Sequence, residues 1–580
     1  MSFFILQRDN TALGALDRFF SILTKHNLNK VYNRRCGRYR LIVFSNLAGD
    51  APASYETPDG AFIVVLGSIV HKSVGSPACL PGLLAEFEPG NFTWNGLLGT
   101  HTIIVHRNNH IYVAGDGLGT CRIYHDRTQR LWSNAFLPFC ALIAAPQFDV
   151  QACYEYVING SVFGTRTLLA GVSSLPPNVI LDVDSSGQSK QIPRPSPLAH
   201  APIVSSSSMD EIARSHIARL DNVFAPLASN FGTRLRLSFS GGFDSRLMLA
   251  MLLRHGVRPS LFVYGSTDDE DVNVARLICE HEGLDLNCIE KRPAEADPEA
   301  IPELIEQDLF AFDGWKVEQP LFDLGVDRKD RLARHRDGAV PLNGSLGEIY
   351  RNFFYIPDGR SSTGRLVSTF YSPYDPAALT ARFVEVDYRA ALAAAMRDAI
   401  DAHDDVLERA QVEMLYPSFR GRYWTGRDAQ LNQRFGPMFF PYLESQAITD
   451  TAYIPLRYKD LGRLQGHMIA VAHAGLAAYP SDYGFPLDGA RPLKYRLTTW
   501  LGTQRPAALR KLSFRLRHRR MENRSGELAP ERLARVIDPD LPILRALFAV
   551  PRLNSCRQYG LAATLEYLAA RFNISIPPER

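Results

Sequence analysis

Leu235-Arg236-Leu237-Ser238-Phe239 runs into Ser240-Gly241-Gly242-Phe243-Asp244-Ser245 and on into Arg246-Leu247-Met248-Leu249-Ala250-Met251-Leu252-Leu253. The three pieces read as strand, glycine turn and helix. Two adjacent glycines let the backbone approach an anion with no side chain in the way, and the N–H groups opening the helix point at the same spot. Ser240 and Ser245 add hydroxyl donors, and Asp244 is a carboxylate of the kind that holds magnesium beside a nucleotide triphosphate. A bare pair of glycines marks only a flexible turn. The strand before and the helix after supply the context that makes this one a phosphate cradle.

Outward from that loop, helix and strand alternate. Met209 to Leu227 has helical spacing of Ile212, Ile217, Leu220, Val223 and Phe224, and after the loop come a helix at 246–254, a strand at Leu261 to Gly265, a helix at 271–282 and a strand near Leu286 to Ile289. Such alternation implies parallel strands with crossover helices and a ligand at their carboxyl ends, so Tyr264 and Gly265 are expected to face the same cleft. Asp268-Asp269-Glu270-Asp271 reads as a solvated loop whose last acid caps a helix starting at Val272. Up to residue 185 the pattern is instead short apolar runs between turn residues: Arg40 to Phe44, Phe62 to Leu66, His101 to His106, Ile111 to Ala114 and Val179 to Val183. That spacing predicts a β-rich domain. Residues 190–208, with Gln-Ile-Pro-Arg-Pro-Ser-Pro and four consecutive serines, read as a linker. Residues 400–500 look mainly helical, and the chain closes with a basic stretch and a helix near Ala562 to Phe572.

With 580 residues, 46% hydrophobic and 22% charged, the chain has material for more than one core. A net charge of +3 gives no overall pull toward nucleic acid or membrane, so neither is expected as a partner. The basic run Lys511 to Arg520 suits an acidic partner or a plain solvated face. The eight cysteines are scattered without Cys-x-x-Cys spacing and read as reduced structural thiols. The start Met1-Ser2-Phe3-Phe4-Ile5-Leu6-Gln7-Arg8-Asp9 has no signal-peptide pattern, and no apolar run is long enough to span a bilayer. A cytoplasmic protein is the expectation.

The 240–245 loop resembles the signature of the ATP pyrophosphatase group, which cuts ATP between its α and β phosphates. Further segments are similar to the asparagine synthetase-like amidoligases, a family that includes asparagine synthetases, β-lactam synthetases and lasso peptide cyclases. These are Trp94-Asn95-Gly96 through Val113-Ala114-Gly115-Asp116 to Tyr124, Val162 to Val172 with Leu175-Pro176-Pro177, and Phe440-Pro441-Tyr442-Leu443-Glu444 with Ile454-Pro455 and Tyr458-Lys459. The resemblance covers residues 90 to 490. It implies an α/β and α+β two-domain protein. Residues 1–189 would be an Ntn-hydrolase-like sandwich of the class II glutamine amidotransferase type. After the linker, 209–500 would be an ATP-pyrophosphatase (adenine nucleotide α hydrolase-like) parallel α/β domain, and 501–580 a basic and helical extension. Ser240, Gly241, Gly242, Asp244, Ser245, Tyr264 and Gly265 would then hold ATP.

Departures from the family shape the functional expectation. A glutaminase of this family needs cysteine as first residue after methionine, because the free α-amine activates the thiolate; here position 2 is Ser2, and Cys36 has no α-amine. Glutamine hydrolysis is therefore not expected. The family's acidic motif ending in Asp-Glu is thinned to Asn343-Gly344-Ser345-Leu346-Gly347-Glu348. Glu348 is the candidate second carboxylate on Mg2+ opposite Asp244 and a catalytic residue, with a plain ion pair to Arg351 as the alternative. The late Arg-Pro-Lys-x-Gly-Phe loop is replaced by Tyr479-Pro480-Ser481-Asp482-Tyr483-Gly484-Phe485, which leaves Lys494 as the nearby candidate for the catalytic lysine, with a plain solvated side chain as the equal alternative. Tyr355, Glu444 and Lys494 are candidates for the base that deprotonates the amine. Arg246 could contact phosphate or lie at the surface.

The implied reaction is amide formation through an acyl-adenylate on a small-molecule or peptide carboxylate. The amine would come from the substrate or from free ammonia, and a lasso peptide cyclase acting on a precursor peptide beside its protease is the specific version. Asparagine synthesis, RNA modification and a catalytically reduced nucleotide scaffold are the rival readings.

Overall fold

The computed structural model describes residues 2–8, 13–45, 52–198, 207–290 and 296–579. In the first part of the chain, strands buried on both faces need cover on both sides, and that requirement sets the layering. One six-stranded sheet runs Val172–Ser174, Tyr124–Asp126, Leu131–Ser133, Ser2–Arg8, Tyr39–Ser45, Asn29–Cys36. A second runs Ser189–Pro193, Val179–Asp184, His110–Gly115, His101–Arg107, Phe62–Gly67, Ala53–Glu56. Side chains alternate between faces. Phe4, Leu6, Leu41 and Val43 therefore meet Val64, Leu66, Ile104 and Leu181 between the sheets, while Ile63, Val65 and Ile103 pack outward under Leu80, Leu83 and Leu84 of the helix Leu80–Glu86. On the far side Phe3, Ile5 and Phe44 join the large core that runs into the rest of the chain. The five expected strand runs all fall on strands of these two sheets.

The expected linker begins too early. Ser189–Pro193 is a strand paired antiparallel with Val179–Asp184, its Ile192 opposite Ile180, so an apolar partner drew it into the sheet despite its prolines. Arg194 then donates to the carbonyl of Phe92. Residues 199–206 of that expected linker lie outside the described residues.

The second part opens with α1 (Met209–Phe231), capped by a reciprocal Ser208/Glu211 box, and enters β1 (Leu235–Ser238). Then follow α2 (Phe243–Arg254), β2 (Ser260–Tyr264), α3 (Glu270–Glu282), β3 (Leu286–Ile289) and, after two helices, β4 (Val340–Leu342). These strands form a parallel sheet in the order β3-β2-β1-β4. The chain steps outward from β1 to β3 and then returns across to β4. Right-handed crossovers thus put α2 and α3 on one face and the later helices on the other. The order reverses between β1 and β4, and in such sheets that reversal opens the crevice where ligands bind. The expected cap of α3 shifts by two residues: the helix begins at Glu270, and Asp269 precedes it, accepting the Ser266 N–H.

The remaining helices cover this sheet and bind the two parts together. The last, Cys556–Phe572, starts six residues before the expected helix and packs on Val150–Asn159 of the first part. Between the parts, Asp313 accepts hydrogen bonds from the N–H groups of Phe136 and Leu137 and from the fully buried Arg427 at 3.2 Å. Among the described residues no helix is long and apolar enough to cross a membrane.

Candidate functional site

β1 ends below the glycine turn. Gly241 takes φ +73°, and a β-carbon on it would fall 2.5 Å from Val274 of α3, so both backbone and neighbour demand glycine. Gly242 is extended and caps α2 without a side-chain bond. The first N–H groups of the helix have no intrahelical acceptor and carry the positive end of its dipole. Around that end the Ser240 and Ser245 hydroxyls stand 3.4 Å apart, and the Gly242 N–H donates toward Ser240 Oγ at 3.5 Å. Ser240, Gly241, Gly242 and Ser245 thus gather hydroxyl and backbone N–H groups at the carboxyl end of the strand beside the switch point.

Asp244, on the first turn of α2, faces the loop that follows β4. Its Oδ2 accepts from Arg351 at 2.6 Å, its Oδ1 from Gln465 at 2.8 Å, and its backbone carbonyl from the Tyr442 hydroxyl at 2.9 Å. Gly347 leaves room for this contact, since a β-carbon there would lie 2.2 Å from Asp244 Oδ1. Glu348 accepts from the Tyr416 hydroxyl at 2.6 Å and lies 3.5 Å from Arg351. Burial raises the Asp244 carboxyl to about 6 against the pull of Arg351, and the Glu348 charge adds to the rise. A third carboxylate, Asp482, stands over the turn, where a β-carbon on Gly242 would meet it at 3.8 Å. Burial, helped by Asp271, lifts Asp482 to about 6, and its Oδ1 is buried with no hydrogen-bond partner among the described residues. Arg351 Nε is likewise buried without an acceptor.

The expected magnesium ligands Asp244 and Glu348 do converge, and hard oxygen donors are what magnesium takes. The place between them is filled from the chain itself, by the Arg351 guanidinium, and Gln465 and Tyr416 occupy the remaining sides. In this structure the two carboxylates are held as an ion-pair cluster around Arg351, the arrangement that the spacing of Glu348 and Arg351 left open beside the magnesium reading. The cause is local: the short 3-10 turn Gly347–Tyr350 brings residue 351 back beside residue 348.

Other expected residues are placed differently. Gly265 ends β2 beside the cleft, its N–H bonded to Ile289 O at 3.2 Å. The Tyr264 hydroxyl points to the opposite face of the sheet, donating to Asp330 at 2.9 Å and accepting from Arg334, so only its backbone is offered to the cleft. Lys494 is exposed on α4 (Leu493–Gln504), while its neighbour Tyr495 packs against Tyr483 and Phe485, so the helix turns the tyrosine inward and the lysine out. Arg246 is neither a phosphate contact nor a surface residue. It is fully buried and donates to the carbonyls of Gly241, Tyr479 and Pro480, tying the Asp482 loop to the glycine turn. Glu444 accepts the Gly99 N–H at 2.9 Å between the two parts, and Tyr355 is exposed. In the first part Ser2 is simply the first residue of a strand, opposite Ser45, and burial pushes the Cys36 thiol up to about 11. Asp482 over the glycine turn and the contact of Arg351 with Asp244 are the features sequence reasoning missed. An acid where the resemblance expects a lysine was the available signal for the first.

No family profile and no curated protein matches this chain. Among solved structures it is similar to an NMN synthetase from Francisella tularensis, at 13% identity and TM-score 0.17, covering 24% of this chain and 58% of that one. A glutamine phosphoribosylpyrophosphate amidotransferase from B. subtilis, complexed with ADP and GMP, aligns at 9% identity and TM-score 0.22 over 50% of this chain and 65% of that one. A glutamine-dependent NAD+ synthetase from Acinetobacter baumannii, in complex with ADP, aligns at 18% identity and TM-score 0.17 over 34% and 40%. The chain thus spans less than two thirds of each of these proteins.

Proposed function

We propose that residues 240–245 hold the phosphates of ATP and that the protein is an ATP-dependent amide-forming ligase. The observation that carries this reading is the donor-lined glycine turn at the mouth of β1, with the unsatisfied Nε of Arg351 beside it. Residues 1–189 are read as an amidotransferase-like domain without glutaminase activity, 209–500 as the pyrophosphatase-type domain and 501–580 as its extension. A substrate carboxylate oxygen attacks the α-phosphorus, the bond to the β-phosphate breaks, and pyrophosphate leaves against the N-terminus of α2 and Arg351. Donors fixed in advance where charge develops lower the barrier most. An amine then attacks the acyl carbon, AMP departs, and Glu348, oriented by Tyr416, takes the proton. With Ser2 in place of a nucleophilic cysteine, the amine is the substrate's own or free ammonia. Holding acid and amine together makes ring closure, as in a lasso peptide cyclase, the favoured version over asparagine synthesis.

The test is release of AMP and pyrophosphate from labelled ATP across candidate acids. Arg351→Ala is expected to lower that release by roughly 10²- to 10³-fold, the range for removing one preorganised donor. ATP left whole at the α–β bond with every acid, or an unchanged rate in Arg351→Ala, would sink the proposal. One observation favours a second reading, a nucleotide-binding scaffold: Arg351 pairs with both Asp244 and Glu348, the two carboxylates that the ligase reading would use. Tight ATP binding with no cleavage would select it.

A further inference from the structure

From Gly489 to Met521 the sequence contains ten lysines and arginines and no aspartate or glutamate. Since the whole chain sums to +3, everything outside this segment sums to −7. The segment folds as α4 and α5 (Ala507–Arg517), and neither helix has a buried residue. Their orientation is the reverse of an ordinary surface helix, which turns its apolar stripe to the core. On α4 the half-buried side is Tyr495 and Thr499, while Leu493, Leu497, Trp500 and Leu501 face outward. Spaced at i, i+4, i+7 and i+8, these four form one stripe. On α5 Arg510 and Lys511 turn inward, to the Tyr355 carbonyl and the Glu385 carboxylate, while Leu509, Leu512 and Leu516 face outward. The seven outward side chains are between 48% and 78% exposed.

We propose that this face lies on an anionic lipid surface. Of the ten cations, seven are exposed, and among the described residues none of these seven lies within ion-pair distance of an acid. Outward leucines and a tryptophan, flanked by cations alone, are the composition of a helix that lies in the headgroup layer. A second copy of this chain would bring like charge against like charge, which disfavours self-association through the same face. A protein partner fixes its register with charges of both signs, whereas a field of one sign suits a fluid surface of the other. The contact does not span the bilayer. It lies beside the candidate site, because Tyr495 on the inner side of α4 packs on Tyr483, whose ring lies 5.6 Å from Phe243 at the start of α2.

Co-sedimentation of the full chain with vesicles tests the proposal without any need for activity, so its outcome is separate from that of the ligase reading. The protein is expected to sediment with vesicles of equimolar phosphatidylcholine and phosphatidylglycerol, to stay in solution with phosphatidylcholine alone, and to be released by high salt. The triple variant Leu497→Ser, Trp500→Ser, Leu501→Ser changes only exposed side chains and should keep its thermal transition while losing about tenfold in vesicle affinity. Failure of the wild-type chain to bind anionic vesicles, or equal binding by the triple variant, would overturn the proposal. So would a wild-type dimer that the triple variant dissociates, or displacement from vesicles by an equimolar acidic amphipathic peptide. Those two results would give the face to a second copy or to a polypeptide.

Discussion

Two carboxylate–arginine clusters in this protein invite comparison. Around Asp313 one carboxylate meets Arg427 at 3.2 Å and Arg434 at 3.7 Å, with side chains 1%, 0% and 6% exposed, and it also accepts from the backbone N–H groups of Phe136 and Leu137. Arg427 in turn lies 4.4 Å over the Trp315 ring and donates to three backbone carbonyls. Around Asp244 one arginine faces three carboxylates, Asp244 and Arg351 are 25% and 18% exposed, and polar atoms on both Arg351 and Asp482 are left without partners. The first cluster is closed to solvent, although Arg427 Nε has no partner among the described residues either, and it joins the two parts of the chain. The second is open to solvent at its edge, and a partly exposed cluster of perturbed carboxyls is a candidate place for a ligand.

The largest expected effect lies in the closed cluster. Asp313→Ala leaves Arg427 and Arg434 charged and uncompensated in the core, a loss of about 3–5 kcal/mol for a broken buried pair. Denaturant unfolding should show that loss or a failure to fold. Asp244→Asn, by contrast, should leave the unfolding midpoint nearly unchanged, because the site is partly solvated and the amide still accepts from Gln465. Its AMP release should fall sharply as Arg351 loses its anchor. If the two variants exchanged phenotypes, the distinction between closed and open clusters would fail.

Glu444 sharpens the comparison, as a carboxyl with no arginine. Burial raises it to about 8, with one bond from Gly99 N–H easing the rise and the Asp116 charge adding to it. A carboxyl raised in the folded state gives its full stability below its ordinary value of 4.5 and loses it as pH climbs through about 8. Glu444→Gln keeps the acceptor without the proton, so it should be more stable than the wild type at neutral pH. The gain should shrink toward acid and level off above pH 8. Thermal transitions of both proteins across that range decide it, and a destabilised Gln variant would show that Glu444 is ionised in the fold.

What could be read from the sequence follows the same division. Strand, turn and helix at 235–254, and the alternation after them, were legible because periodicity and glycine placement are local signals. Glu348 was legible as a site residue but not its partner. Arg351 stands three residues on, a spacing equally common in surface pairs, and only the return of β4 beside β1 shows that it faces Asp244 as well. Arg246 was hidden because arginines are seldom fully buried, and here backbone carbonyls, among them those of residues 479–480, take its two terminal nitrogens. The basic run at 511–520 was visible, yet the outward turn of the leucines was not. A helical stripe does not say which side of it the protein covers.

Asp482 gives the smallest effect and the most informative direction. Burial and Asp271 lift its carboxyl from 3.8 to about 6, so its contribution to stability is whole at acid pH and is lost as pH rises through that window. Asp482→Asn should therefore flatten, without abolishing, the decline in thermal transition between those values, since Asp244 titrates in the same range. Above the window the variant also removes a negative charge from beside the Gly242 N–H. Nucleotide affinity, measured by titration calorimetry, should then rise a few-fold, the gain being limited by the partial solvent exposure of the carboxylate. If affinity falls instead, Asp482 contacts the ligand directly, and the open cluster is short of a cation from the nucleotide's side, not burdened with a carboxylate of its own.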